Sequence, residues 1–95
     1  MSWIVFSLGS RFSWCGSVDL YMRIEEILSS YNYKLKHIEN YGGRFFDYFM
    51  TTPEYEDEVR KAIDSALDDE FLDREIEGEL LVLQRVFCRG KVIMG

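Results

Sequence analysis

Seventeen acids against eleven lysines and arginines give this 95-residue chain a formal net charge of −6, while 47% of its residues are hydrophobic and 16% aromatic. That is the length of one domain with ample apolar matter for a core, so residues 1–95 read as a single domain and a disordered chain is excluded. The acid excess also argues against direct nucleic-acid binding, because it repels a phosphate backbone.

The apolar run Trp3 to Leu8 has no basic residue before it. With Ser2 it reads as the first strand, Ser2 to Leu8, being too short for a membrane span or a secretory leader. A loop is expected over Gly9–Gly16, and Ser17 then caps a helix with Asp19 in its first turn. Leu20, Ile24, Ile27, Leu28 and Tyr31 recur at helical spacing, with Asn32 closing the helix. Tyr33, Leu35 and His37 alternate with Lys34 and Lys36, the period-two signature of a half-exposed strand. Asn40-Tyr41-Gly42-Gly43 is expected to reverse the chain into a return strand from Arg44 to about Thr51. Thr52, Pro53 and Glu54 form a strong helix start, and this second helix is expected to run to about Glu70. A charged connection over Asp73–Glu79 leads to an apolar strand, Leu80–Phe87, and Arg89-Gly90 turns into a short last strand over Lys91–Met94. The resulting order, β-α-β-β-α-β with an extra C-terminal β, predicts an α+β, ferredoxin-like split βαβ fold with two helices on one face of an antiparallel sheet.

Charge is distributed unevenly along this frame. Residues 54–79 hold twelve acids and three bases, a local balance of −9, whereas the rest holds eight bases and five acids, or +3. At about 100° per residue, Tyr55, Val59, Ala62, Ile63, Ala66 and Leu67 share one arc of the second helix. Glu54, Asp57, Glu58, Asp64, Asp68 and Asp69 gather opposite, interrupted mainly by Lys61. Like charges held together cost stability and can steer a basic partner.

Other chemistry finds little support. The cysteines, Cys15 and Cys88, lie in different elements, a pattern that fits reduced thiols in a cytoplasm, that of a host cell if the protein is viral. A nucleophilic Cys15 would need a base, and the one histidine, His37, is not tied to it locally. Gly9 and Gly16 match neither dinucleotide nor phosphate-loop patterns. The Asp68-Asp69-Glu70 run lacks the alternating ligands of a calcium loop, so no catalytic residue, cofactor or metal is expected. The return strand places aromatic groups on both sheet faces. Either Phe46, Tyr48 and Met50 or their complement Phe45 and Phe49 should be left open, with Phe46 and Tyr48 the candidate interface aromatics and a homodimer one way to cover them. Asp47 stands where an RNA-recognition strand would carry a stacking ring.

These readings converge on a non-enzymatic binding protein that offers its acidic helix to a partner with a basic, nucleic-acid-binding surface. In size and charge the chain resembles small acidic phage proteins that block host defence nucleases, anti-CRISPR proteins and DNA mimics among them; the resemblance is one of composition, without a shared motif. The alternative is a dimeric, ferredoxin-like regulatory domain that senses a small ligand.

Overall fold

In the computed structural model, which describes residues 1–95 with Phe45 by its backbone alone, β1 (Ser2–Ser7) returns as β2 (Ser13–Ser17). The hairpin register sets Val5 opposite Trp14 and Ile4 opposite Cys15. The second half of the loop expected over Gly9–Gly16 is therefore strand. Trp14 is its one strong strand former and holds it in place: the ring is 2% exposed, packs on Tyr21, and its Nε1–H donates to Glu79 at 2.5 Å.

Helix α1 (Val18–Tyr31) starts where the spacing predicts, with Ser17 Oγ accepting from the Leu20 N–H at 3.0 Å. Tyr33–His37, expected as a strand, is a short 3-10 helix. Asn32 winds it: its side-chain oxygen accepts from the Lys34 N–H at 3.2 Å and its carbonyl from the Leu35 N–H at 3.1 Å. Such local side-chain bonds compete with sheet ladders. The expected return strand is itself a hairpin, β3 (Gly43–Phe45) and β4 (Tyr48–Met50), turning at Phe46-Asp47 with Phe46 at φ 57°.

Helix α2 (Pro53–Leu67) begins at its predicted cap, Thr52 Oγ1 accepting from the Tyr55 N–H at 3.2 Å, and ends three residues short of the expected boundary. The largest departure follows. Leu80–Phe87 is not a strand; it belongs to a third helix, α3 (Arg74–Val86). Asp73 caps that helix through the Glu75 N–H at 2.8 Å, and the buried residues Ile76, Leu80, Leu83 and Val86 fall at helical spacing. The apolar run Leu80–Leu83 hides this period, because Leu81 and Val82 face solvent.

The last strand, β5 (Val92–Met94), inserts between β1 and β4, giving an antiparallel sheet of order β2-β1-β5-β4-β3. The α+β class holds, but the element order is ββαββααβ, with two hairpins joined by a central strand rather than split βαβ units. Val5, Trp14, Val92 and Met94 on one sheet face join Tyr21, Ile24 and Leu28 of α1, Val59 and Ile63 of α2, and Leu80 and Leu83 of α3 in one core. Inside it lies a carboxylate. Glu56, 6% exposed, accepts from the Val92 N–H at 3.3 Å and from Thr51 Oγ1, and so anchors the first turn of α2 to the β4–β5 junction.

Two stability measurements check this arrangement. Gly78 lies inside α3 with nothing within 4 Å of where a Cβ would stand. Gly78→Ala should therefore add about 0.5–1 kcal/mol to the urea-unfolding free energy; a strand at this position would show no such helix-propensity gain. Glu56→Leu leaves the Val92 N–H unsatisfied and should cost about 1–3 kcal/mol, with Glu56→Gln closer to wild type because it can still accept that bond.

Candidate interaction surface

The wheel of α2 decides which acids reach a partner. Tyr55, Val59, Ala62, Ile63 and Ala66 are buried together, and the arc they define extends to Glu56 and Glu58 at its two edges. Glu54, Asp57, Asp64 and Asp68 are exposed on the opposite side. Asp57 shares its charge with Arg60, whose other guanidinium nitrogen donates to the Phe87 carbonyl at 2.6 Å. Asp64 accepts from Gln84 Nε2 at 3.1 Å, which ties α2 to α3 without neutralising the carboxylate.

Two of the six acids expected on this face are placed otherwise. Glu58 turns inward, 8% exposed, accepting from Asn32 Nδ2 at 2.7 Å and Lys61 Nζ at 3.1 Å. These bonds, that from Asn32 foremost, hold its carboxyl below the usual glutamate range. Sequence spacing contained the signal: Glu58 is three residues after Tyr55 and four before Ala62, so it borders the buried stripe. Asp69 is half-buried beyond the end of α2, accepting from the Tyr31 hydroxyl at 2.6 Å and the Phe71 N–H at 2.9 Å. The Tyr31 bond lowers the Asp69 carboxyl and raises the phenol.

What the sequence reading treated as a connection enlarges the surface. With 74–86 helical, the acids after Asp69 lie on an α2–α3 corner in which residues 64–77 hold seven acids against one base, Arg74. Arg23 reaches this corner from α1, at 3.8 Å from Asp73, an exposed and therefore weak pairing. The last turn of α2 has no basic residue, so Asp68 and Asp69 stand at the negative end of its dipole. The acids at the start of α3, Asp73, Glu75 and Glu77, stand at a positive end, where the helix favours them.

The aromatic candidates part company. Tyr48 is half-buried on the sheet face turned away from the helices, where it lines a hollow of about 210 Å³ with Ile4, Phe6 and Ile93. Phe46 is exposed on the hairpin turn and is not part of that face. Phe49 pairs with Met94 on the helix side, and the side chain of Phe45 lies outside the described residues.

A second polar group sits between α1, the 3-10 helix and α2. Glu25, Ser29, Asn40 and Tyr55 join Leu28, Leu35 and Ile38 around a cavity of about 110 Å³, with the Tyr55 hydroxyl 3.4 Å from Glu25 Oε1. Burial raises the Glu25 carboxyl above its ordinary value, and burial with the nearby Glu25 charge raises Tyr55. Among the described residues, no three histidine, cysteine, aspartate or glutamate side chains converge as metal ligands, and no helix is long and apolar enough to cross a membrane. Comparison with protein-family models, curated proteins and solved structures finds no match.

The Glu25 environment generates a pH signature. A carboxyl whose folded pKa exceeds its unfolded one destabilises the fold as pH rises from the unfolded value through the folded one. Glu25→Gln can still accept from Tyr55 but cannot ionise. Its thermal midpoint should therefore gain on wild type as pH is raised from about 4 to about 7, and a constant offset across that range would contradict the burial described.

Proposed function

We propose that this chain is a non-enzymatic binding protein whose acidic α2–α3 surface docks in a basic, phosphate-recognising groove of a protein partner and blocks it. The observation that carries this reading is the α2–α3 corner, where six exposed acids of residues 64–77 meet two bases, Arg74 and, from α1, Arg23, and where Asp68 sits exposed at a helix end that disfavours it. A cation from a partner relieves the mutual repulsion of such a cluster and its conflict with the dipole, so binding recovers a cost already present in the free protein. Grooves that bind nucleic acid present lysines and arginines in the density needed to do this.

The outward residues Glu54, Asp57, Asp64 and Asp68 form the binding set, extended by Asp73, Glu75 and Glu77. Glu58 and Asp69 support the surface from within. Action as an inhibitor follows from occupancy, since a groove filled by carboxylates is closed to phosphates. A role against defence nucleases, as in the phage proteins that this chain resembles in composition, is one form of that activity.

The test is binding of the immobilised chain to a panel of purified DNA-binding nucleases, with Glu54, Asp57, Asp64 and Asp68 all changed to lysine as the control. Duplex DNA should displace a true partner, and affinity should fall at least about tenfold between about 0.1 and 0.5 M salt. The quadruple variant should keep the wild-type circular dichroism, because all four positions are exposed, and should lose binding. A partner held equally well by the variant, or one indifferent to DNA and salt, overturns the proposal.

A further inference from the structure

In a chain where 29% of residues are charged, one sheet face carries, among the described residues, a single charged residue, Lys91, at its edge. Antiparallel partners directly opposite one another share a sheet face. The register therefore places Cys15 with Ile4, Phe6 with Ile93, and Ile93 with Met50 on the face away from the helices, joined by Tyr48. Those six residues of β2, β1, β5 and β4 include no lysine, arginine, aspartate or glutamate, and four of them line the hollow of about 210 Å³. Lys91 stands at the rim, with its ammonium donating to the Thr51 carbonyl at 3.1 Å.

We infer that this face binds a second copy of the chain, sheet against sheet. Charge selects that occupant. A basic partner is drawn to the acidic helices and gains nothing from an apolar face without acids. Two copies of a −6 chain repel through every surface that carries the excess, and this face carries none of it. Sheet-to-sheet pairing also directs both helix layers outward. Each protomer is 23 Å through its thinnest dimension, so the two acidic surfaces lie roughly twice that distance apart. This is far beyond the screening length of about 8 Å at physiological salt.

Area sets the strength. Strands about 4.8 Å apart, rising about 3.3 Å per residue, make the face about 19 Å wide across five strands, and its length falls from about 20 Å on β1 to about 10 Å on the three-residue strands β3, β4 and β5. Two such faces remove on the order of 500–600 Å² from water, below the range of a stable complex and within that of a transient one. The dimer is accordingly weak and transient, and its two acidic corners point in opposite directions. The pairing does not depend on the acidic surface being a binding site.

Sedimentation velocity of the intact chain from about 1 to about 500 μM tests this, with alkylation of the two cysteines as an independent readout. Cys15 is exposed on the proposed interface, whereas Cys88 is exposed beside Arg60, Asp64 and Gln84 on the helix side. The expected result is a monomer–dimer transition that high salt strengthens, because salt screens the like net charges. Over the same range the rate of Cys15 alkylation should fall at least about threefold relative to Cys88. Phe6→Glu and Tyr48→Glu should each leave a monomer, since they bury like charges against one another. A monomer at every concentration, equal protection of both cysteines, a dimer dispersed by salt, or a dimer that survives both variants overturns the inference. Should either variant fail to fold, the wild-type cysteine comparison decides alone.

Discussion

A carboxylate inside the protein governs what the outside can do. Glu56 sits in the first turn of α2 and accepts from the Val92 N–H and the Thr51 hydroxyl, where β4 meets β5. A buried acid is tolerable only with such donors around it. One donor belongs to β5 and the other stands one residue past β4, so the bond orients the helix as well as stabilising it. Once Glu56 points into the sheet, helical geometry carries Val59, Ala62, Ile63 and Ala66 into the core and carries Asp57, Asp64 and Asp68 to solvent. Rotating α2 by one residue would drive the outer carboxylate of Asp64 into the core in place of Ile63.

The acids of this protein thus divide by task. Glu56 and Glu58 tie α2 to its neighbours, Glu79 receives the Trp14 indole, and Asp69 receives the Tyr31 phenol. Each satisfies a donor that burial would otherwise strand. The acids left outward run from Glu54 along α2 to the α2–α3 corner, where the last turn of α2 lacks a base to temper them. Net charge alone does not separate these groups. Structural carboxylates contribute to the −6 without contributing to the field that a partner meets, and this is why the balance of residues 54–79 overstates the strength of the outer surface.

The helix starts at Ser17 and Thr52 were legible because a capping hydroxyl, a proline and a carboxylate are chemically specific signals. The elements misread share a different trait, in that their apolar pattern fits two periods at once. Tyr33–His37 alternates like a strand, yet Asn32 bonds it into a helical turn. Leu80–Leu83 is continuous like a buried strand, yet only Leu80 and Leu83 are buried, which is the spacing of one helical turn. Strand β2 went unseen because Ser13, Cys15, Gly16 and Ser17 have little strand preference and Trp14 alone supplies the burial. The same ambiguity reaches the site: spacing identifies the outward acids of α2 but groups Glu58 with them, and the pattern of Asp73–Glu79 fits a loop as well as the start of α3.

The placement of β5 has a kinetic consequence. Val5 pairs with Met94 and Ser7 with Val92, so the first strand waits for a partner more than eighty residues further along the chain. Until residues 92–94 dock, the β1–β2 and β3–β4 hairpins share no ladder and each exposes an unpaired inner edge. Loop closure over that distance is slow, and open edges invite association between chains. During synthesis the nascent protein therefore passes through a stage in which most of its helices can form while its sheet cannot. Completion of the sheet is a late, cooperative event that brings both halves together at once.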